Sequence, residues 1–199
     1  MNIAVLASGN GTNFEAIAQA VKKGYIKANL KILLTDKQNA YVRIRAKKFK
    51  VKEKFINPKN FKSRLGFDKK IAAILIKEKI DLVVLAGFMR ILTPHFVKKF
   101  KNRIINIHPA LLPAFKGANA IERAYRHGCK LTGATIHFVD EKVDHGPIIL
   151  QEVVEIKKGM GLAELEKDIH NLEHKLYPLA INLFLGKKIK KNGCQIKII

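Results

Sequence analysis

The residues best able to do chemistry sit in one run, Asn106-Ile107-His108-Pro109, followed by Ala110-Leu111-Leu112-Pro113. The run continues an apolar, strand-like stretch that begins at Arg103-Ile104-Ile105. Residues two apart on a strand face the same side of the sheet. The two prolines then end the strand, because proline cannot continue a central one. An amide donor and a titratable imidazole are therefore presented together at a strand's carboxyl end, where open α/β sheets hold ligands. Later, Val139-Asp140-Glu141-Lys142-Val143-Asp144-His145-Gly146-Pro147 reads as a loop able to return a carboxylate to that imidazole. A neutral donor, an imidazole and a carboxylate together can stabilise charge that develops on an oxygen. Asn106 or His108 alone reads as an ordinary polar residue at a strand end; with Asp144 the set reads as functional. His137, two residues after Thr135, either lines the same pocket or is a half-buried strand residue. No histidine falls at metal-ligand spacing from other ligands, so no catalytic metal is expected.

Three further segments carry candidates. Ser8-Gly9-Asn10-Gly11-Thr12-Asn13 follows the first apolar run and opens a helix. Its glycines let backbone amides approach a ligand, and a helix N-terminus favours an anion. Phe14 stands where a dinucleotide fingerprint needs a small residue, and the Walker lysine is missing, so the loop reads as a cradle for a phosphate monoester. An ordinary β-α turn capped by Thr12 or Asn13 fits the spacing equally well. Gly87-Phe88-Met89-Arg90-Ile91-Leu92 suits a flat, partly apolar ligand with an anionic or amide end, or else a hydrophobic connection. Glu173, inside a long helical pattern, reads as a solvated face residue.

The elements that must position these residues are legible from periodicity. Strands are expected at Ile3–Ala7, Leu30–Leu34, Val51–Phe55, Leu82–Ala86 and Arg103–Ile107. Helices are expected from about Asn13 to Lys23, at Tyr41–Phe49, Phe61–Lys79 and Pro94–Phe100. The alternation argues a doubly wound α/β sheet, parallel in its N-terminal half. After a helix near Ala118–His127, strands Gly133–Val139 and Ile148–Ile156 are expected to pair antiparallel around the acidic loop. A helix over Leu162–Leu185, kinked near Pro178, and a hairpin turning at Asn192-Gly193 complete the chain. The 199 residues read as one domain.

Composition excludes several classes. Hydrophobic residues make up 48%, which argues against disorder. No apolar run reaches membrane-spanning length, and Met1-Asn2-Ile3-Ala4-Val5-Leu6 reads as a strand, not a signal peptide. Cys129 and Cys194 fit neither a disulfide framework nor a metal site, so a reducing cytoplasm is expected. The net charge is +22, from 38 basic and 16 acidic residues. Its lysines are scattered over nearly every helix, and the densest basic stretch, 41–70, holds acids only at Glu53 and Asp68. That distribution describes a lysine-rich surface that draws in anionic small molecules, not a specific nucleic-acid site.

Together, Asn2–Asn13, Leu82–Leu92, Ile104–Gly117 and Thr132–Gln151 resemble the phosphoribosylglycinamide formyltransferase family in order and spacing, with weaker similarity along nearly the whole chain. The resemblance implies a Rossmann-like formyltransferase fold of about seven strands with a mixed C-terminal part. It implies residues 1–100 as a phosphate-binding half and 101–199 as a catalytic and folate-binding half. The implied reaction moves a formyl group from the co-substrate 10-formyltetrahydrofolate to the amine of glycinamide ribonucleotide (GAR), in purine synthesis. Carried over by position, Asn106, His108 and Asp144 would be catalytic. Gly11, Thr12, Asn13 and Glu173 would bind GAR. Arg64, Met89, Arg90, Ile91, Leu92, Asn106, Asp140, Glu141 and Val143 would line the folate site. The family's cis peptide would precede Pro113. Ala110 stands where Ser is usual, and His170 where Gln is common. The expected partners are these two small molecules, with no specific nucleic acid, no membrane and no metal, in a monomer or weak homodimer.

The residue types suit that chemistry. An amine attacks a formyl carbon and an oxyanion develops, to which Asn106 donates while protonated His108 donates and adds charge, favoured by Asp144. Alternatives are a 10-formyltetrahydrofolate hydrolase (deformylase), a methionyl-tRNA formyltransferase and a non-catalytic nucleic-acid-binding module. The hydrolase expects an N-terminal regulatory domain and lacks the Gly-Asn-Gly-Thr-Asn loop; the tRNA enzyme expects an added C-terminal domain. The scattered lysines predict only weak tRNA binding that falls steeply with salt in a gel-shift titration. Sub-micromolar, sequence-selective binding at physiological salt would contradict it.

Overall fold

The structure, a computed structural model, describes residues 1–199, and the chain gathers into two compact units, Met1–Ile105 and Asn106–Ile199. The first contains β1 (Asn2–Leu6), α1 (Thr12–Lys22), β2 (Asn29–Thr35), α2 (Val42–Lys48) and β3 (Lys52–Phe55). A 3-10 turn at Pro58–Asn60 leads to α3 (Arg64–Lys77), β4 (Leu82–Leu85), α4 (Pro94–Lys99) and the first residues of β5 (Ile104–His108). β1 pairs in parallel with β2 and β4, and β2 with β3. Parallel neighbours need crossovers, which the helices supply. Strands buried on both faces read as unbroken apolar runs, and Ile3–Leu6 and Leu82–Val84 are wholly buried.

The second unit holds the rest of β5, then α5 (Ala120–Arg126), β6 (Leu131–Phe138), β7 (Ile148–Glu155), α6 (Leu162–Leu185), β8 (Ile189–Asn192) and β9 (Gln195–Ile198). β6 and β7 pair antiparallel, with a register shift between Ile136 and His137. Such an irregularity re-aims the side chain beside it. Leu165 and Ile169 of α6 pack with Ile121 of α5 and Met160, and Tyr125 Oη donates to the Met160 carbonyl at 2.9 Å. The seven-stranded sheet has the order β3-β2-β1-β4-β5-β6-β7, and β8-β9 form a separate hairpin. This is the mostly parallel, doubly wound arrangement expected. The strand order reverses between β1 and β4, so the crevice where such sheets bind ligands opens beyond their carboxyl ends.

Several boundaries differ from expectation for local reasons. α3 begins at Arg64, not Phe61, because the Ser63 side chain accepts from Gly66 N at 3.1 Å and caps the helix there. α6 runs unbroken from Leu162 to Leu185 with buried Pro178 inside it. The tail hairpin closes on the Asn192–Gln195 pair, so its loop is Gly193-Cys194. The left-handed φ of 58° falls on Gly193, which leaves Asn192 in the strand. Leu112–Pro113 is cis.

Gly146 closes the neck of the acidic loop. A Cβ there would lie 1.8 Å from the Phe138 carbonyl oxygen, while Phe138 N donates to Pro147 O at 2.9 Å. Only a residue without a side chain lets the chain return so close to β6 and bring Asp144 inward. Gly146→Ala is therefore expected to destabilise the protein by about 2 kcal/mol or more, read as a lower urea midpoint. An unchanged midpoint would contradict this account of the neck.

Candidate active site

The second unit brings together the set expected from sequence. Asn106 and His108 end β5 on the same side. His108 Nδ1 lies 3.3 Å from Asp144 Oδ2, and Asn106 Nδ2 donates to Asp144 Oδ1 at 3.4 Å. His108 is almost fully buried, and its Nε2 lies 2.9 Å from the Phe115 carbonyl oxygen. Both ring nitrogens thus face acceptor oxygens. Asp144 also accepts from Gly117 N at 2.8 Å. Phe115, Asn119 and Asp144 all take left-handed backbone conformations, with φ of 49°, 55° and 44°. Such backbone is strained in non-glycine residues and collects at functional sites.

His137 is buried and lies against Asn106 and Asp144. Its Nδ1 lies 2.9 Å from the Phe138 carbonyl oxygen and so carries a proton. Its Nε2 faces Asn106 Nδ2 at 3.2 Å and Asp144 Oδ1 at 3.7 Å. The amide of Asn106 is thereby aimed by two groups. The signal for His137 was the two-residue alternation along β6. The backbone groups of Phe115 and Gly117 had no sequence signal, since any residue type supplies a carbonyl or an N–H. Burial works against charge on Asp144, but the His137 ring, the Gly117 N–H and the charge of His108 outweigh it and bring its pKa from 3.8 to about 2.

Around that cluster, Asp140 turns its own loop. Its Oδ1 accepts from Lys142 N at 3.0 Å and its Oδ2 lies 2.7 Å from His145 Nδ1. Glu141 and Val143 are exposed. The expectation that Glu173 is solvated is overturned: it is buried on the inner face of α6, with its Oε2 2.9 Å from His170 Nδ1. Helical periodicity turns this residue inward with Ile169 and Leu176. The hydrogen bond to Glu173 raises the pKa of His170 against the opposing effect of burial.

In the first unit, Gly11 occupies the N-cap of α1 with φ 80° and no side-chain cap. Neither Thr12 nor Asn13 caps the helix, contrary to the ordinary-turn alternative. A Cβ on Gly11 would lie 2.3 Å from Val42 Cγ2, so the turn needs glycine both for its φ and for space. α2 holds this loop: Val42 N donates to Gly9 O at 3.2 Å, and Arg45 donates to Asn10 O at 3.0 Å and Asn10 Oδ1 at 2.8 Å. Arg45 and Lys48 also pair with Glu15, the one acid in the first turn of α1. That pairing offsets a charge that would repel an anion at the helix N-terminus. Beyond β4, Met89 and Ile91 are 76% and 55% exposed, while Leu92 is buried. Arg90 lies over the Phe67 ring at 4.8 Å, and Arg64 is exposed at the start of α3. The side chains of His, Cys, Asp and Glu form no group of three or more arranged for a metal ion, and no helix is long and apolar enough to cross a membrane.

A doubly wound sheet with an amide–imidazole–carboxylate cluster at one strand end and an uncapped helix N-terminus at another defines a group-transfer enzyme. Residues 1–181 match the family described as Formyl transferase, and the chain belongs to that family. It is 42% identical over 183 residues to the phosphoribosylglycinamide formyltransferase of Bacillus subtilis (strain 168), across 92% of this chain and 94% of that one. It is 40% identical over 188 residues to the protein of the same name from Haemophilus influenzae, across 94% of this chain and 89% of that one. The solved structure of glycinamide ribonucleotide transformylase 1 from Symbiobacterium toebii matches with a TM-score of 0.98 at 40% identity, covering 100% of this chain and 94% of that one.

Asp144 has a lower pKa folded than unfolded, so its ionisation stabilises the fold above the unfolded value. That contribution is lost as the pH falls through the folded value. The shift from 3.8 to about 2 corresponds to roughly 2 kcal/mol. In urea unfolding, the stability difference between the wild type and Asp144→Asn is expected to shrink by that amount from pH 5 to below pH 2. A difference independent of pH would contradict the depressed pKa.

Proposed function

We propose that this enzyme transfers a formyl group from 10-formyltetrahydrofolate to the amine of glycinamide ribonucleotide in purine biosynthesis. The observation that carries the reading is the Asn106–His108–Asp144 cluster, in which one carboxylate orients both an amide and an imidazole. The relatives' names support the acceptor and the transferred group.

The folate when bound supplies an electrophilic formyl carbon. The protein need not supply a nucleophile, because the substrate amine is one. Asn106 Nδ2 donates to the formyl oxygen as negative charge develops there, and His108 donates and adds compensating charge. In the free enzyme His108 Nε2 lies against the Phe115 carbonyl, so the formyl oxygen replaces that carbonyl as its acceptor. The bonds from Asn106, at 3.2–3.4 Å, are longer than usual and leave room to tighten around a substrate. Asp144, ionised at neutral pH, keeps the imidazole aimed.

Residues 1–100 hold the ribonucleotide's phosphate through the Gly11–Asn13 backbone and the Thr12 hydroxyl at the N-terminus of α1. Buried Glu173 takes the glycinamide amine. Arg64, Met89, Arg90, Ile91, Leu92, Asn106, Asp140, Glu141 and Val143 hold the folate. The exposed apolar side chains of Met89 and Ile91 suit a flat ligand that would cover them. The two free cysteines suit a reducing compartment, the cytoplasm.

Tetrahydrofolate release from 10-formyltetrahydrofolate tests this, run with GAR, without it, and with tRNA in its place. Release is expected only with GAR. Equal release without GAR would make the protein a hydrolase, and release dependent on charged initiator tRNA would replace the acceptor. Asn106→Ala is expected to lower kcat by about 10²–10³. Thr12→Val, which removes one phosphate donor, should raise KM for GAR about tenfold with the folate KM nearly unchanged. Equal shifts in both would remove Thr12 from the phosphate site.

A further inference from the structure

The segment Gly87–Thr93 has no regular secondary structure, yet polar groups from three elements grip it. At its near end Ser8 N donates to Gly87 O at 3.0 Å, and Met89 N donates to Ser8 Oγ at 2.9 Å. The Ser8 hydroxyl in turn donates to Asp36 Oδ1 at 2.6 Å. In the middle, Arg90 Nη1 lies 3.7 Å from Asp36 Oδ2, with its guanidinium over Phe67. At the far end Asp68 Oδ2 accepts from both Thr93 N at 2.6 Å and Thr93 Oγ1 at 2.7 Å.

These groups are buried: Asp68 is 1% exposed, Asp36 4%, Thr93 7% and Ser8 8%. Burying a carboxylate is costly unless its oxygens are hydrogen-bonded, so each must hold a defined donor set. Thr93 is also the N-cap of α4, and its side chain makes no capping bond. A threonine hydroxyl at that position ordinarily accepts from the first turn of its helix. Here it is turned back to Asp68, at the expense of the cap. The direction of that bond favours holding the segment over starting the helix.

We infer that Asp68, bonded through Thr93, is a positioning residue for the Met89–Leu92 segment, and that the Ser8–Asp36 couple fixes the same segment at its other end. The inference rests on the assignment of that segment to the folate. Asp68 touches no substrate in this account. It acts through the backbone it holds, and it shares α3 with Arg64, one helical turn away, and with Phe67, on which Arg90 rests. One helix thereby sets the two sides of the folate's contact surface together. Ser8 immediately precedes the Gly9–Asn13 loop, so the phosphate loop and the folate segment share one anchor at the β1–β4 crevice.

The test compares Thr93→Val, Thr93→Ser, Asp68→Ala and Met89→Ser with the wild type. The readouts are KM for each substrate, kcat and the urea midpoint. Thr93→Val keeps the shape and loses the hydroxyl. It is expected to raise KM for 10-formyltetrahydrofolate about tenfold, the worth of one such hydrogen bond, with KM for GAR and kcat within twofold. Thr93→Ser restores the donor and should restore the folate KM. Asp68→Ala should raise it further; if that variant fails to fold, the two Thr93 variants carry the comparison. A lower midpoint in Thr93→Val with unchanged KM values, or with both KM values and kcat moving together, would reduce Asp68 to a structural role and overturn the inference. Met89→Ser separates the two claims. If it raises the folate KM while Thr93→Val does not, the folate assignment stands and the positioning role falls. If exposed Met89 has no effect on the folate KM, the folate assignment of the segment falls, and the inference with it.

Discussion

The arrangement of Asn106, His108 and His137 depends on keeping Asp144 ionised although it is largely buried. Water is mostly withdrawn from this carboxylate, and an imidazole on each side, the Asn106 amide and the Gly117 backbone N–H replace it. Each group that stabilises the charge is itself oriented by it. His108 is held between the carboxylate and the Phe115 carbonyl, and Asn106 between the carboxylate and His137. A neutral carboxyl would leave these donors without a charged acceptor, and the constellation would lose its reason to adopt one arrangement. The donors are thus fixed before substrate arrives, which is where electrostatic preorganisation gains its advantage over water.

The backbone carries strain so that this charge can be reached. Asp144, Phe115 and Asn119 take left-handed conformations that cost non-glycine residues free energy. Gly146 removes the side chain that would keep the Asp144 loop away from β6. The first unit solves the corresponding problem differently. There the loops Gly9–Asn13 and Gly87–Thr93 follow parallel strands, and Arg45 of α2, Asp68 of α3 and Asp36 beyond β2 hold them by hydrogen bonds or an ion pair.

The excess of positive charge has a counterpart in how the acids are used. Glu53 forms a paired contact with Arg43 at 3.0 Å through both oxygens. Glu15 pairs with Arg45 and Lys48, Glu78 with Lys52, and Glu173 with His170. Asp36 and Asp68 lie inside, against hydroxyl and backbone donors. With so many acids engaged, the lysines left over give a diffuse positive field, which draws in anionic small molecules.

The sequence by itself determined the period of every element, and therefore the doubly wound order. The apolar runs at β1 and β4 read as buried parallel strands, and the helical patterns between them as crossovers. It also placed Asn106 and His108 on one side of a strand end and put Asp144 on a returning loop, because two-residue alternation and turn residues are local properties. What only the tertiary structure decided depended on distance between remote residues or on atoms common to all residue types. The entry of His137 into the cluster and the grip of Asp68 on Thr93 each required knowing which element packs on which. The Phe115 carbonyl and the Gly117 N–H belong to every peptide unit and carry no sequence signature. Local patterns set where the chain turns and which face it buries; packing alone decides which buried charge meets which donor.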